Sequence, residues 1–132
     1  METDHRQDAY ADYLGVEVDT LGEGHATAAL TVNHHHLNPH ATAHGALLYS
    51  IVGAALAAAA NDGINTGVVS AVHIDYVSPA YPGDRLIATA TVAEHLAREN
   101  LYTVRLVRVA DGQIVARASG RATRRTRTEA TP

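Results

Sequence analysis

The stretch that most constrains this chain is residues 46–60, a run built from Ala, Leu, Ile, Val, Tyr, Ser and Gly with no charge on any helical face. Alanine and leucine favour helix. A helix that is apolar all round has to be enclosed, by other protein or by lipid. Spanning a bilayer takes about 20 apolar residues, and this run is shorter and carries Ser50 and Gly53 inside it. It predicts a buried central helix wrapped by the rest of the chain, with small side chains that let a sheet approach closely. Asn61, Asp62 and Gly63 stop the run, Gly63 reading as a left-handed cap. Just upstream, residues 36–45 are rich in polar groups and turn-formers. Polar groups at the mouth of a buried helix suit a ligand site, because the first N–H groups of a helix lack internal partners and favour partial negative charge.

The rest of the chain supplies the wrapping. Residues 8–14 read as a short amphipathic helix with Ala9, Tyr13 and Leu14 on one side and Gly15 at its end. Residues 16–19 alternate apolar and polar. After a turn at Gly22, Glu23 and Gly24, the alternation of Ala26, Ala28, Leu30 and Val32 with Thr27, Ala29 and Thr31 gives a second strand, paired with the first as a hairpin. Beyond the central helix the pattern is all strand: residues 68–77, closed by Ser78 and Pro79; a turn at Pro82, Gly83 and Asp84; then residues 86–92. Residues 100–109 follow, with Tyr102, Val104, Leu106 and Arg108 on one face. Asp111-Gly112 signals a two-residue hairpin, and residues 113–122 return with Ile114, Ala116 and Ala118 facing one way. Two strands, one long helix and four strands mean an α+β domain with antiparallel pairing: a curved antiparallel sheet wrapped around one long central helix. The reading is a single domain over 1–132, with its core at about 14–122 and a frayed C-terminal tail at 123–132. One subunit would cover the helix only in part, which predicts a homodimer or a dimer of dimers.

Composition excludes several functions. The 132 residues contain no cysteine, so disulfides, thiolate metal sites and a cysteine nucleophile are out. All ten basic residues are arginine, which excludes a Schiff-base lysine. A formal net charge of −4 argues against general nucleic-acid affinity. The polar, mixed-charge start does not read as a signal peptide, so a cytoplasmic protein with no membrane partner is expected. His36, His40 and His44 are spaced like a metal cluster, but Pro39 breaks any helix that would align them, and no Asp or Glu lies among them; no metal site is expected. Ser50 lacks the Gly-x-Ser-x-Gly setting of a nucleophile and reads as a hydroxyl bonded to a helix carbonyl.

The motifs and element order resemble the hot-dog fold thioesterases, and among them the phenylacetate-degradation type of acyl-CoA thioesterase. That pattern runs His-x-Asn-x-x-Gly-x-x-His-Gly-Gly, then a helix, then a strand that ends before a Pro and a Gly-Asp. Here it reads His36-x-Asn38-x-x-Ala41-x-x-His44-Gly45-Ala46, followed by residues 70–76, Ser78-Pro79-Ala80 and Pro82-Gly83-Asp84. The resemblance covers roughly residues 14–122. It implies a hot-dog fold, an acyl-CoA or related acyl thioester as substrate, and water attack with no cofactor. The thioester carbonyl would sit at the start of the central helix, polarised by the Gly45 N–H. Asn38 would orient the water or the carbonyl, and His44 would position the thioester or assist the leaving thiolate. The acyl group would lie in a dimer interface, with the CoA phosphates near arginines such as Arg121, Arg124, Arg125 and Arg127; a solvated arginine tail is the other reading of that segment.

One departure from the family pattern is decisive for mechanism. The family places an Asp or Glu on the central helix nine residues after the His of His-Gly, and here that position is Gly53. No carboxylate lies in residues 46–61, and Asp62 is two to three turns too far. Three readings remain. Other groups could serve catalysis: Thr42, Ser50 or His73 could hold the water, with His36 and Ser70 as further substrate contacts. The chain could bind an acyl thioester without hydrolysing it. Or the fold could persist as an oligomeric scaffold. Gly53 also admits a packing explanation, close approach of the helix to a strand.

Overall fold

The computed structural model describes residues 8–124. In order the elements are α1 (Ala9–Leu14), β1 (Glu17–Gly22), β2 (His25–Thr31), a 3₁₀ turn (His34–His36), α2 (Gly45–Ala60), β3 (Gly67–Tyr76), β4 (Arg85–His95), β5 (Glu99–Arg108) and β6 (Ile114–Arg124). All strand pairs are antiparallel, in the order β1-β2-β4-β5-β6-β3. The sheet curves around α2, which touches every strand. This is the α+β architecture that the sequence pattern predicts, a curved antiparallel sheet around one helix, and the hot-dog fold that the family resemblance implies. No described helix is long and apolar enough to cross a membrane.

The close fit of helix and sheet follows from small residues in register. Ala28 pairs with Ala88, Ala88 with Leu106 and Leu106 with Ala116, so one cross-sheet row beneath the helix is mostly methyl groups. Into that surface α2 buries Leu47, Leu48, Ile51, Val52, Ala55 and Leu56. The approach is tightest at Gly120 of β6, where an added Cβ would lie 2.7 Å from Leu56 Cδ1. The helix is not covered on every side, however. Ala46 and Tyr49 are exposed, and Ser50, Gly53 and Ala57 are half-buried, so one stripe of α2 remains open within a single chain.

Four local expectations change. Ala9 and Tyr13 are exposed, and α1 leans on the core through the buried Ala11 together with Leu14, which packs against it as expected. α2 ends at Asn61, not at a glycine cap: the Asn61 side chain donates to the Ala57 carbonyl and pairs with both backbone groups of Gly67, while Gly63, with φ of 95°, turns the loop beyond. The register shifts opposite Leu106 and Val107, so Val115 and Ala116 are both buried and the alternation expected from Ile114 is broken by a bulge. Finally, β6 continues through Thr123 and Arg124. The Arg124 guanidinium donates to Asn100 Oδ1 at 2.6 Å and to the carbonyls of Leu96 and Ala97, tying the end of β6 to the β4–β5 turn. Arg125 and Arg127 lie outside the described residues.

Candidate functional site

The site forms where a knotted loop hands the chain to α2. Asn38 builds the loop. Its N–H reaches the Thr42 carbonyl at 2.8 Å, its Oδ1 accepts from the N–H groups of His40 and Thr42, and its Nδ2 donates to Thr42 Oγ1. The loop closes because Ala41 takes φ of +65°, the only positive φ at a non-glycine residue among those described. Asn38 and Thr42 thus spend most of their hydrogen-bonding capacity on each other. One Nδ2 hydrogen of Asn38 is left over.

His36 is a structural tie. It is buried, its Nδ1 accepts from the Asn33 N–H at 3.0 Å, and its Nε2 lies 3.0 Å from the Leu14 carbonyl. The first bond makes Nε2 the donor in the second, and no ring nitrogen remains for a ligand. Its carbonyl accepts from the His44 N–H at 2.8 Å and so sets the start of the helix.

His44 is the N-cap of α2. Its Nδ1 accepts from the Ala46 N–H at 3.0 Å. That bond places the neutral ring's proton on Nε2, on the exposed side. Gly45 is the first helical residue, and its N–H has no partner among the described residues. Its carbonyl accepts from the Tyr76 hydroxyl at 3.1 Å. Beside this pair lies an open pocket of about 310 Å³ lined by Ala43, Gly45, Leu48, Tyr76, Val77, Ser78 and Pro79. Gly45 thus brings an N–H without a partner among the described residues, with the helix dipole behind it, to the edge of an apolar cleft, while the exposed His44 ring, like Asn38, is not among the residues that line it.

The other expected site residues scatter. Ser50 Oγ donates back to the Ala46 carbonyl at 2.8 Å, one turn into the helix. Gly53 lies on the same open stripe, and an added Cβ there would meet nothing within 4 Å. Close packing against a strand therefore does not explain this glycine. Ser70 and His73 are on β3 but do not line the pocket. Ser70 sits at a bulge and bonds to the Arg121 carbonyl, while His73 is exposed beside Asp75 at 3.2 Å, opposite in phase to the core-facing Val72 and Ile74. Arg121 bonds to Ser70 and lies 3.5 Å from Glu99. Among the described residues no three His, Asp or Glu side chains group together to hold a metal.

Sequence reasoning missed Tyr76. The signal was present: it is in phase with Val72 and Ile74 and so faces the helix, and it closes β3 just before Pro79. The loop beyond it, which carries the pocket wall, is pinned by Arg108, whose guanidinium reaches the Pro79 carbonyl, Asp84 and Asp111. The Asp111 bond, with smaller help from Asp84, holds Arg108 above its usual range against some desolvation, and the Gln113 N–H and Arg108 hold Asp111 below its own. At the far end of α2, burial pushes the Asp62 carboxyl up, but bonds from the N–H groups of Asn65, Ile64 and Gly24 outweigh it and leave the group below the ordinary carboxylate value.

Residues 40–116 match the family model described as Thioesterase superfamily. The acyl-coenzyme A thioesterase PaaI of Escherichia coli (strain K12) is 35% identical over 103 residues, 78% of this chain and 74% of that protein. Among solved structures, the E. coli PaaI protein of the phenylacetic acid degradation operon superposes with a TM-score of 0.84 at 34% identity, over 89% of this chain and 85% of that one. A mutant of the phenylacetic acid degradation protein PaaI from Thermus thermophilus does so with a TM-score of 0.83 at 33% identity, over 89% and 100%.

Proposed function

The chain belongs to the thioesterase superfamily, and from that premise we propose that it is a cytoplasmic hydrolase of an acyl-CoA thioester, working at the N-terminus of α2. The observation that carries this reading is the Gly45 N–H, without a partner among the described residues, at the edge of an apolar pocket, with the exposed His44 Nε2–H on the preceding residue. A thioester carbonyl oxygen placed there would accept from both. Water adding to the carbonyl carbon would put negative charge on that oxygen, where the helix dipole and the two donors meet it. Collapse would break the C–S bond and expel the CoA sulfur, which takes one of the water's protons through solvent to leave as the thiol; the acyl group leaves as a carboxylate and the other proton passes to bulk water. The free Nδ2 hydrogen of Asn38 is available to orient the water.

No carboxylate of α2 accepts the water's proton, and Gly53 leaves open space where the family pattern has one. A general base is worth about 10²–10⁴-fold, so slow turnover is expected, with Ser50, one turn before Gly53 on that stripe, holding the water. The same vacancy favours a second reading, a module that binds an acyl thioester without hydrolysing it.

The reading includes a homodimer. β3 is an edge strand, and it and the residue after it expose Val68, Tyr76 and Val77, while α2 leaves Tyr49 exposed. A second copy meeting this edge would cover them and wall the pocket. Val68→Lys should shift the molecular mass measured by light scattering toward the monomer; an unchanged mass would move the interface elsewhere.

Thiol release from acetyl-, hexanoyl-, decanoyl-, benzoyl-, phenylacetyl- and hydroxybenzoyl-CoA tests the hydrolase. Turnover lost in an Asn38→Ala, His44→Ala double variant would support it. Binding without turnover in the native chain would establish the binding module instead.

A further inference from the structure

We propose that Tyr76 is a positioning residue that acts through the peptide between Gly45 and Ala46 to hold His44 in its donating state; its catalytic consequence rests on the thioesterase reading above. The Tyr76 hydroxyl donates to the Gly45 carbonyl at 3.1 Å. That carbonyl and the Ala46 N–H belong to one planar, resonance-coupled peptide unit. The Ala46 N–H in turn donates to His44 Nδ1 at 3.0 Å. A peptide that accepts at its oxygen becomes a better donor at its nitrogen, because chains of hydrogen bonds polarise one another. The hydroxyl therefore strengthens the bond that keeps Nδ1 an acceptor and the proton on Nε2, the donor that the thioesterase reading assigns to the ligand.

The placement of Tyr76 is fixed from the sheet side. It closes β3 opposite Ala116, and the next two N–H groups, of Val77 and Ser78, both reach the Val115 carbonyl. The bulge at Val115 thus sets where the phenol ends. Ring and hydroxyl have separable tasks. The ring walls the pocket with Leu48, Val77 and Pro79 and lies 3.5 Å from where a Cβ on Gly45 would be. The hydroxyl feeds the relay that ends on His44.

Two variants divide these tasks. Tyr76→Phe keeps the ring and removes the hydroxyl, and Tyr76→Leu removes both. With Tyr76→Phe, kcat on the best acyl-CoA should fall roughly three- to tenfold, the worth of one hydrogen bond, with KM unchanged. Nitrogen-15 spectra, with His44→Gln used to assign the ring, should show a larger share of the Nδ1–H tautomer of His44, and the Ala46 amide proton should move upfield and exchange faster. Tyr76→Leu should in addition change the order of preference among acyl groups. A Tyr76→Phe protein whose Ala46 amide and His44 nitrogens stay in place overturns the proposal, as does one in which they move and kcat does not. Absence of turnover in the native chain would instead remove the thioesterase reading and this residue's catalytic consequence with it, while the spectra still decide whether Tyr76 governs His44.

Discussion

At its C-terminal end α2 runs into Asn61 and Asp62, and at its N-terminal end it begins at His44 and Gly45; the two ends treat their polar groups in opposite ways. Asn61 answers the Ala57 carbonyl and both backbone groups of Gly67, and Asp62 accepts from Gly24 at 2.7 Å as well as from Ile64 and Asn65. These bonds join the helix to the β1–β2 turn and to β3. At the other end the Gly45 N–H and the His44 Nε2–H are left without protein partners among the described residues. An end whose capping side chains are committed to the backbone around them holds the fold. An end with donors in reserve, fixed by the loop behind it, can receive charge as it develops on a ligand. The rigidity of the first is what keeps the second in place, since both belong to one helix of about 24 Å.

The strongest way to break this contrast is Gly45→Pro. Proline is favoured at the first position of a helix, and His44 already has φ of −63° and ψ of 139°, which suit a residue before proline. The fold should survive, and thioester turnover should drop by about 10²–10³, the worth of one oxyanion donor. Gly45→Ala, which keeps the N–H and gains only ordinary contact with Tyr76, is the control; equal losses in both would show that steric access, not the N–H, matters.

Gly53→Asp sharpens the contrast from within the helix. Open space at this position means that the variant should fold, and a base placed there should raise turnover by up to about 10²-fold. A folded, ligand-binding variant with no gain would show that this position does not face the thioester.

The closed end should answer in stability and not in activity. Asp62→Ala should cost about 1–3 kcal/mol in denaturant unfolding by stranding the N–H groups it satisfies, with KM unchanged. Because the folded carboxyl titrates below the unfolded one, its contribution is present above about pH 4 and is lost as pH falls through the folded value. Asp62→Asn should flatten the acid limb of the stability curve, and an unaltered limb would assign that limb to other carboxylates.

The smallest effect is expected behind the open end. Ala41→Gly relieves a left-handed alanine and should raise stability by about 1 kcal/mol, visible as a higher Tm. A lower Tm would mean that loop freedom in the unfolded chain outweighs the strain.

The architecture was legible because burial writes itself into spacing. The uncharged run gave α2, and the alternation of Ala26, Ala28 and Leu30, or of Tyr102, Val104 and Leu106, gave strands with the right face inward. The mouth of the helix was legible as a place, through the His44-Gly45 pair. What escaped were contacts decided by three-dimensional detail. Asn38 reads as a free amide in the sequence, yet the left-handed turn at Ala41 folds it onto Thr42. Tyr76 meets Gly45 across 31 positions, through a register set by a bulge that no periodicity announces. Asn61 displaced Gly63 as the cap because its amide could serve helix and strand together.

The empty space around Gly53 also bears on how this gene can change. Any glycine codon becomes an aspartate or glutamate codon by a single base substitution. Since nothing in the packing of one chain resists a side chain at that position, the step between a helix with an acidic group and a helix without one is a point mutation in either direction, with no compensating change needed elsewhere in the fold. On the thioesterase reading proposed above, binding and hydrolysis would then be neighbouring states of one lineage, separated by selection on the ligand's fate.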